Sequence, residues 1–144
     1  MAPTGYTDRM IEHLHEHIIE ELRADARTDT VFILTAILLN LIALAVNSIV
    51  VGEDPETSLY IVFALFVALV VVVNTVVVLG LRRGRLTRRK LLTGLLRMYK
   101  DHDVADYYDA SILESYDTRY NLFTIAVLFT GLVSIAVPTV LLAL

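Results

Sequence analysis

Three stretches without a single Asp, Glu, Lys or Arg, residues 30–52, 57–81 and 120–144, constrain this chain more than any other feature. At a rise of about 1.5 Å per residue each can cross a hydrocarbon core of about 30 Å, for which about 20 apolar residues suffice. A helix satisfies its own backbone hydrogen bonds in lipid, so runs of this kind are read as transmembrane helices. In a soluble protein the rest of the chain would have to bury all three, and 144 residues leave too little to do so. The 56% hydrophobic and 19% charged residues exclude intrinsic disorder as well. With no Cys, disulfides, thiol catalysis and Cys-ligated metal centres drop out.

The expected fold is therefore an all-α integral membrane protein with three transmembrane helices and cytoplasmic amphipathic helices, assembled as a homo-oligomer. Its segments are an amphipathic N-terminal helix (1–29), span one (30–52), an acidic turn (53–56), span two (57–81), a basic loop with amphipathic helices (82–118) and span three (119–144). Cations set the orientation. Arg9, Arg23 and Arg27 precede span one, nine Lys and Arg residues occupy 82–119, and the hairpin between spans one and two holds none. The positive-inside rule places the N-terminus and the long loop in the cytoplasm of the cell and the C-terminus outside. Residues 1–27 lack the apolar core of a cleavable signal, so span one is expected to act as the insertion signal. Ten Arg against two Lys point to a GC-rich, prokaryotic source.

Outside the spans, Ile11, Leu14, Ile18 and Leu22 share one face of a predicted helix over 7–25, with Thr7 or Asp8 at its cap. Thr28, Asp29 and Thr30 offer side-chain oxygens for the start of span one. In the long loop, residues 82–85 read as a turn, after which Leu91, Leu92, Leu95, Leu96 and Tyr99 line a second helix. Residues 101–103 should end it, with Asp103 capping a third stripe of Val104, Tyr107, Tyr108, Ser111 and Ile112. Tyr116 and Tyr120 are expected at headgroup level. An Asp-Thr pair leads into span one (Asp29-Thr30) and again into span three (Asp117-Thr118), an architectural echo without a residue-level repeat.

Inside span one, Ala36, Asn40, Ala43 and Asn47 fall on one helical face, and such amides require protein or water beside them. They serve either as interhelical hydrogen-bond partners or as the lining of a cation path, with Asn40, Asn47 and Ser48 as pore candidates. Glu53, Asp54 and Glu56 would then concentrate cations at its outer mouth. Span two carries Ala64, Ala68 and Thr75 with Asn74 beside them; span three carries Ala126, Thr130 and Ser134 with Gly131. These small-residue stripes permit close helix contact, and one chain using all three while enclosing the Asn face is unexpected, which favours oligomerisation. Pro138 removes a helix donor near the end of span three. No Asp, Glu, Lys, Arg or His lies within residues 30–52, 57–81 or 120–144, which argues against an active transporter.

Elsewhere, His13, His17 and Glu20 are the most metal-like set, suited to zinc or nickel, although His15 sits about 200° around the helix from His13. A solvated polar face is the plainer explanation. The Glu12, Glu16 and Glu20 stripe repels itself and is expected to dock against the basic loop. Arg82, Arg83, Arg85, Arg88, Arg89 and Lys90 read as a topology signal touching anionic lipid headgroups rather than nucleic acid. No nucleotide-binding loop or hydrolase motif is present, no cofactor is implied, and no enzyme activity is expected.

In outline, residues 27–90 resemble two-helix cation channels, in which a short acidic turn joins a descending and a returning helix. The Gly-Met-Asn filter of magnesium channels is missing; Val46-Asn47-Ser48 stands in its place. The first reading of function is a homo-oligomeric passive cation channel, with Asn40 and Asn47 lining its path and Glu53, Asp54 and Glu56 at its mouth. The alternative is a non-conducting scaffold or regulatory module whose cytoplasmic helices bind a partner or the lipid surface.

Overall fold

A computed structural model of the chain describes residues 4–52, 57–103 and 111–143. It consists of three helices: α1 (Thr4–Gly52), α2 (Thr57–Asp101) and α3 (Ile112–Ala143). All three are long and apolar enough to cross a membrane. The acidic turn with Glu53, Asp54 and Glu56, and Val104, Tyr107 and Tyr108 of the third stripe, lie outside the described residues.

α1 runs unbroken for 49 residues, about 74 Å, from the amphipathic segment through span one. It starts at Thr4, so Thr7 and Asp8 fall within its first turns rather than at its cap. At the junction Thr28 and Thr30 donate back to the carbonyls of Ala24 and Ala26 (3.0 and 2.9 Å) instead of capping a new helix. One seam explains the continuity. Ile11, His15, Ile18, Leu22, Asp25, Asp29, Ile33, Ala36, Asn40, Ala43 and Asn47 succeed one another at steps of three and four, and every one is buried or half-buried. Leu14, assigned to that face from spacing, is half exposed; His15 takes its place, its ring 5.7 Å from that of Tyr99. Steps of three and four fit a helix in either order, and the ring across the interface decides between them.

α2 corrects a second expectation. Residues 82–85 do not turn but continue the helix, so span two and the basic segment form one element of 45 residues. Its buried side follows Val70, Asn74, Val77, Leu81, Arg88, Leu92 and Leu95. The helix ends where residues 101–103 were expected to end it. There the His102 and Asp103 amides bond to the carbonyls of Tyr99 and Lys100, and Asp103 adopts a left-handed backbone (φ 57°). Asp103 thus finishes α2 rather than starting the next helix, a conformation that Asp tolerates better than most residues.

α1 lies against both other helices, and α2 meets α3 less extensively. α1 and α3 run parallel with α2 antiparallel between their directions, in one register from His15–Tyr99 through Asp25–Arg88 to Asn40–Asn74. Ile33, Ala36, Val77, Leu81, Tyr120 and Val127 form the apolar core. The pattern is inside-out for a soluble protein: Leu34, Leu65, Leu79, Ile125 and Phe129 face outward, while Asn40, Asn47, Asn74 and Ser134 are buried. A single chain therefore encloses the Asn face of span one, an arrangement not expected of one chain from the sequence. Of the three small-residue stripes, only that of span two (Ala64, Ala68, Thr75) is left facing outward.

Candidate functional site

Two polar layers hold the three helices together. In the middle of the spans, Asn40 and Asn74 bond reciprocally, each Nδ2 donating to the other's Oδ1 (3.0 and 2.8 Å). The Asn40 amide also donates to Thr130 Oγ1 (3.0 Å) and the Asn74 amide to the carbonyl of Val70 (2.7 Å). Thr130 passes the chain on to the carbonyl of Ala126 (3.0 Å). Gly131 makes the arrangement possible: a Cβ there would lie 2.9–3.0 Å from the atoms of the Asn74 amide. Interhelical bonds of this kind contribute about 0.6–2 kcal/mol each in a membrane.

Seven residues on along the seam, Asn47 is fully buried, and neither its Nδ2 nor its Oδ1 has a hydrogen-bond partner. Ser48 beside it is half-buried. In α3, Ser134 and Pro138 are buried; Ser134 Oγ donates to the carbonyl of Gly131 (2.8 Å). Pro138 has no N–H to offer the carbonyl of Ser134, yet the helix continues through it to Ala143.

The second layer closes the basic end of the bundle. Arg88 is buried, its Nη2 2.9 Å from Asp25 Oδ2 and 3.1 Å from Asp29 Oδ2. The Tyr120 hydroxyl donates to the same Asp29 oxygen. The rings of Tyr116 and Tyr120 lie 5.5 and 5.3 Å from the Arg88 guanidinium, a cation–π sandwich. Tyr120 therefore faces the cluster. Nearer the surface, Arg85 Nε bonds Asp117 Oδ1 at 2.9 Å, and Arg89 stands 3.6 Å from the other oxygen. The Arg85 hydrogen bond holds the Asp117 carboxyl below its usual range, against the opposing effect of desolvation. The echoed aspartates, Asp29 of α1 and Asp117 of α3, thus grip the same turns of α2 from two sides.

This layer alters the roles expected of the basic segment. Arg88 is withdrawn into the bundle and cannot serve as a headgroup ligand, and Arg85 is engaged by Asp117 and Asn121. Arg82, Arg83, Arg89 and Lys90 remain exposed. The acidic N-terminal segment does pack on the basic segment, but through Asp25 and Asp29; Glu12, Glu16 and Glu20 stay exposed. The metal-like set is not gathered. His13, His17 and Glu20 are exposed, and no group of three metal-ligating side chains occurs among the described residues. On the flank of α3, a cleft of about 510 Å³ is lined by Ser111, Glu114, Thr118, Arg119, Leu122 and Phe123.

Asn74, Asp25, Asp29 and Tyr120 were not singled out as site residues from sequence. The signal was present: acids at seam positions between Leu22 and Ile33 demand a buried cation, and Arg88 occupies a seam position on α2. Compared with known proteins, the chain matches no family model, no curated protein and no solved structure.

Proposed function

We propose that this protein is a non-conducting membrane module, with three spans as a closed anchor and two helices projecting from it to bind a partner. The observation that carries this is the direct bonding of Asn40, Asn74 and Thr130 within one chain. A cation path needs oxygens free to replace an ion's water shell, and here they are committed to neighbouring helices. Residues 9–29 of α1 and 82–101 of α2 supply the projecting pair, about 30 Å each. With the basic end in the cytoplasm, as the positive-inside rule requires, Arg82 and Arg83, next to the end of span two, sit where anionic headgroups lie. Purified protein reconstituted in liposomes should pass no cation flux above that of protein-free vesicles. Flux that scales with protein content overturns this account.

One observation favours the second reading, a homo-oligomeric passive cation channel. Asn47 keeps two unpartnered polar atoms, which an ion-lined path would use together with Ser48 and the Glu53, Asp54 and Glu56 mouth. Asn47→Leu separates the two: a channel loses its flux, whereas the module keeps its fold and has no flux to lose.

A further inference from the structure

We propose that the outer face of α2 beyond the membrane is a docking surface for the acidic face of α1 in a second copy of this chain. This names the partner for the projecting helices and rests on reading them as a docking element. Arg83, Leu86, Lys90, Thr93, Arg97 and Lys100 recur at steps of three and four, and all are exposed. They run opposite the seam of Leu81, Arg88, Leu92 and Leu95, which is spent on contacts within the chain. Arg83, Lys90, Arg97 and Lys100 make no ion pair with another described residue. On α1, Glu12, Glu16 and Glu20 form an exposed stripe at four-residue spacing, and its one charged contact among the described residues is Glu16 with His13 at 4.0 Å. Each stripe repels itself in isolation.

Height decides what can meet them. Copies related by rotation about the membrane normal keep every residue at the same level. Counting from the start of span one at about 1.5 Å per residue, Glu20, Glu16 and Glu12 stand about 15, 21 and 27 Å from the membrane boundary. With Arg88 level with Asp25 and Tyr99 with His15, Lys90, Arg97 and Lys100 stand about 10, 20 and 25 Å away. The stripes therefore oppose in sign and overlap in level, with Glu16 facing Arg97, Glu12 facing Lys100 and Glu20 within about 5 Å of the level of Lys90. Their antiparallel sense is the one α1 and α2 already use within the chain. Lipid is a poor rival for the distal cations. The field of an anionic surface fades within a Debye length of about 8 Å at physiological salt.

Charge reversal on the full-length protein in mild detergent or nanodiscs tests this. The wild type should show a mass above 16.1 kDa at low salt. Lys90→Glu with Arg97→Glu and Lys100→Glu should weaken association at least about tenfold, the order that three exposed ion pairs supply. Adding Glu12→Lys, Glu16→Lys and Glu20→Lys should restore it. Because the chain has no native Cys, Glu16→Cys with Arg97→Cys should also form an oxidative cross-link that doubles the mass. A monomer at every salt concentration overturns the docking, as does association untouched by reversal, or reversal that full exchange does not rescue. Cation flux measured on the same preparation reports separately on the non-conducting reading.

Discussion

An Asn in lipid is costly alone and useful in pairs, and Asn40 shows why. Its amide meets Asn74 and Thr130 on two other helices, so a single side chain ties the whole bundle. Asn40→Leu strands the polar atoms of Asn74 as well as removing its own bonds. The expected loss is about 1–2 kcal/mol, read from loss of helical circular dichroism on titration with a denaturing detergent. Adding Asn74→Leu should recover part of that loss, since both partners of the buried pair are then apolar. Strictly additive losses would mean that the two amides act independently. Asn40 was legible in the sequence as one of a face of polar and small residues, but its partner was not. Asn74 sits beside its own helix's small-residue stripe, and only packing turned that stripe outward and the amide inward.

At the scale of the element, the clearest lesson is α2. Gly84 among arginines has the composition of a turn, yet the helix runs through it. The glycine is there for space: a Cβ would come within 3.0 Å of the Tyr120 hydroxyl and 3.1 Å of Asp29 Oδ1. Gly94, ten residues on, faces nothing within 4 Å. The two therefore predict opposite signs. Gly94→Ala should stabilise by about 0.5–1 kcal/mol, the helical preference for Ala over Gly. Gly84→Ala should destabilise, because Tyr120 and Asp29 are held by Arg88 and cannot yield freely. Thermal unfolding of both variants in one detergent checks the pair, and a stabilised Gly84→Ala would refute the packing role given to this glycine. Spacing located the Leu92 and Leu95 face of this segment correctly; it could not show that helix and span were a single rod.

For the whole molecule, the distribution of charge is the ground for the direction proposed across the bilayer. Every Lys and Arg lies within residues 9–27 or 82–119, and the only charged residues of 53–56 are acids. Ser58 and Thr87 are both exposed and sit near opposite ends of span two. In intact cells a Cys at position 58 should react with a membrane-impermeant thiol reagent, and one at position 87 only after permeabilisation. The reverse pattern refutes the orientation. Mutual engagement of Asp25, Asp29, Arg88 and Tyr120 at the basic end also makes the three helices one body rather than independent spans.

Sequence alone located three helices long and apolar enough to cross a membrane. These follow from the lack of charge and from helical periodicity, both properties of neighbouring residues. Tertiary structure decided which polar groups meet. Asp29 reaches Tyr120 across 91 positions and Asn40 reaches Thr130 across 90, and no local rule couples residues so far apart. It also decided that one chain can enclose its own amides. Whether a polar face turns inward or toward a neighbour depends on the rotation of each helix about its axis, and the helices set that rotation jointly when their seams pack.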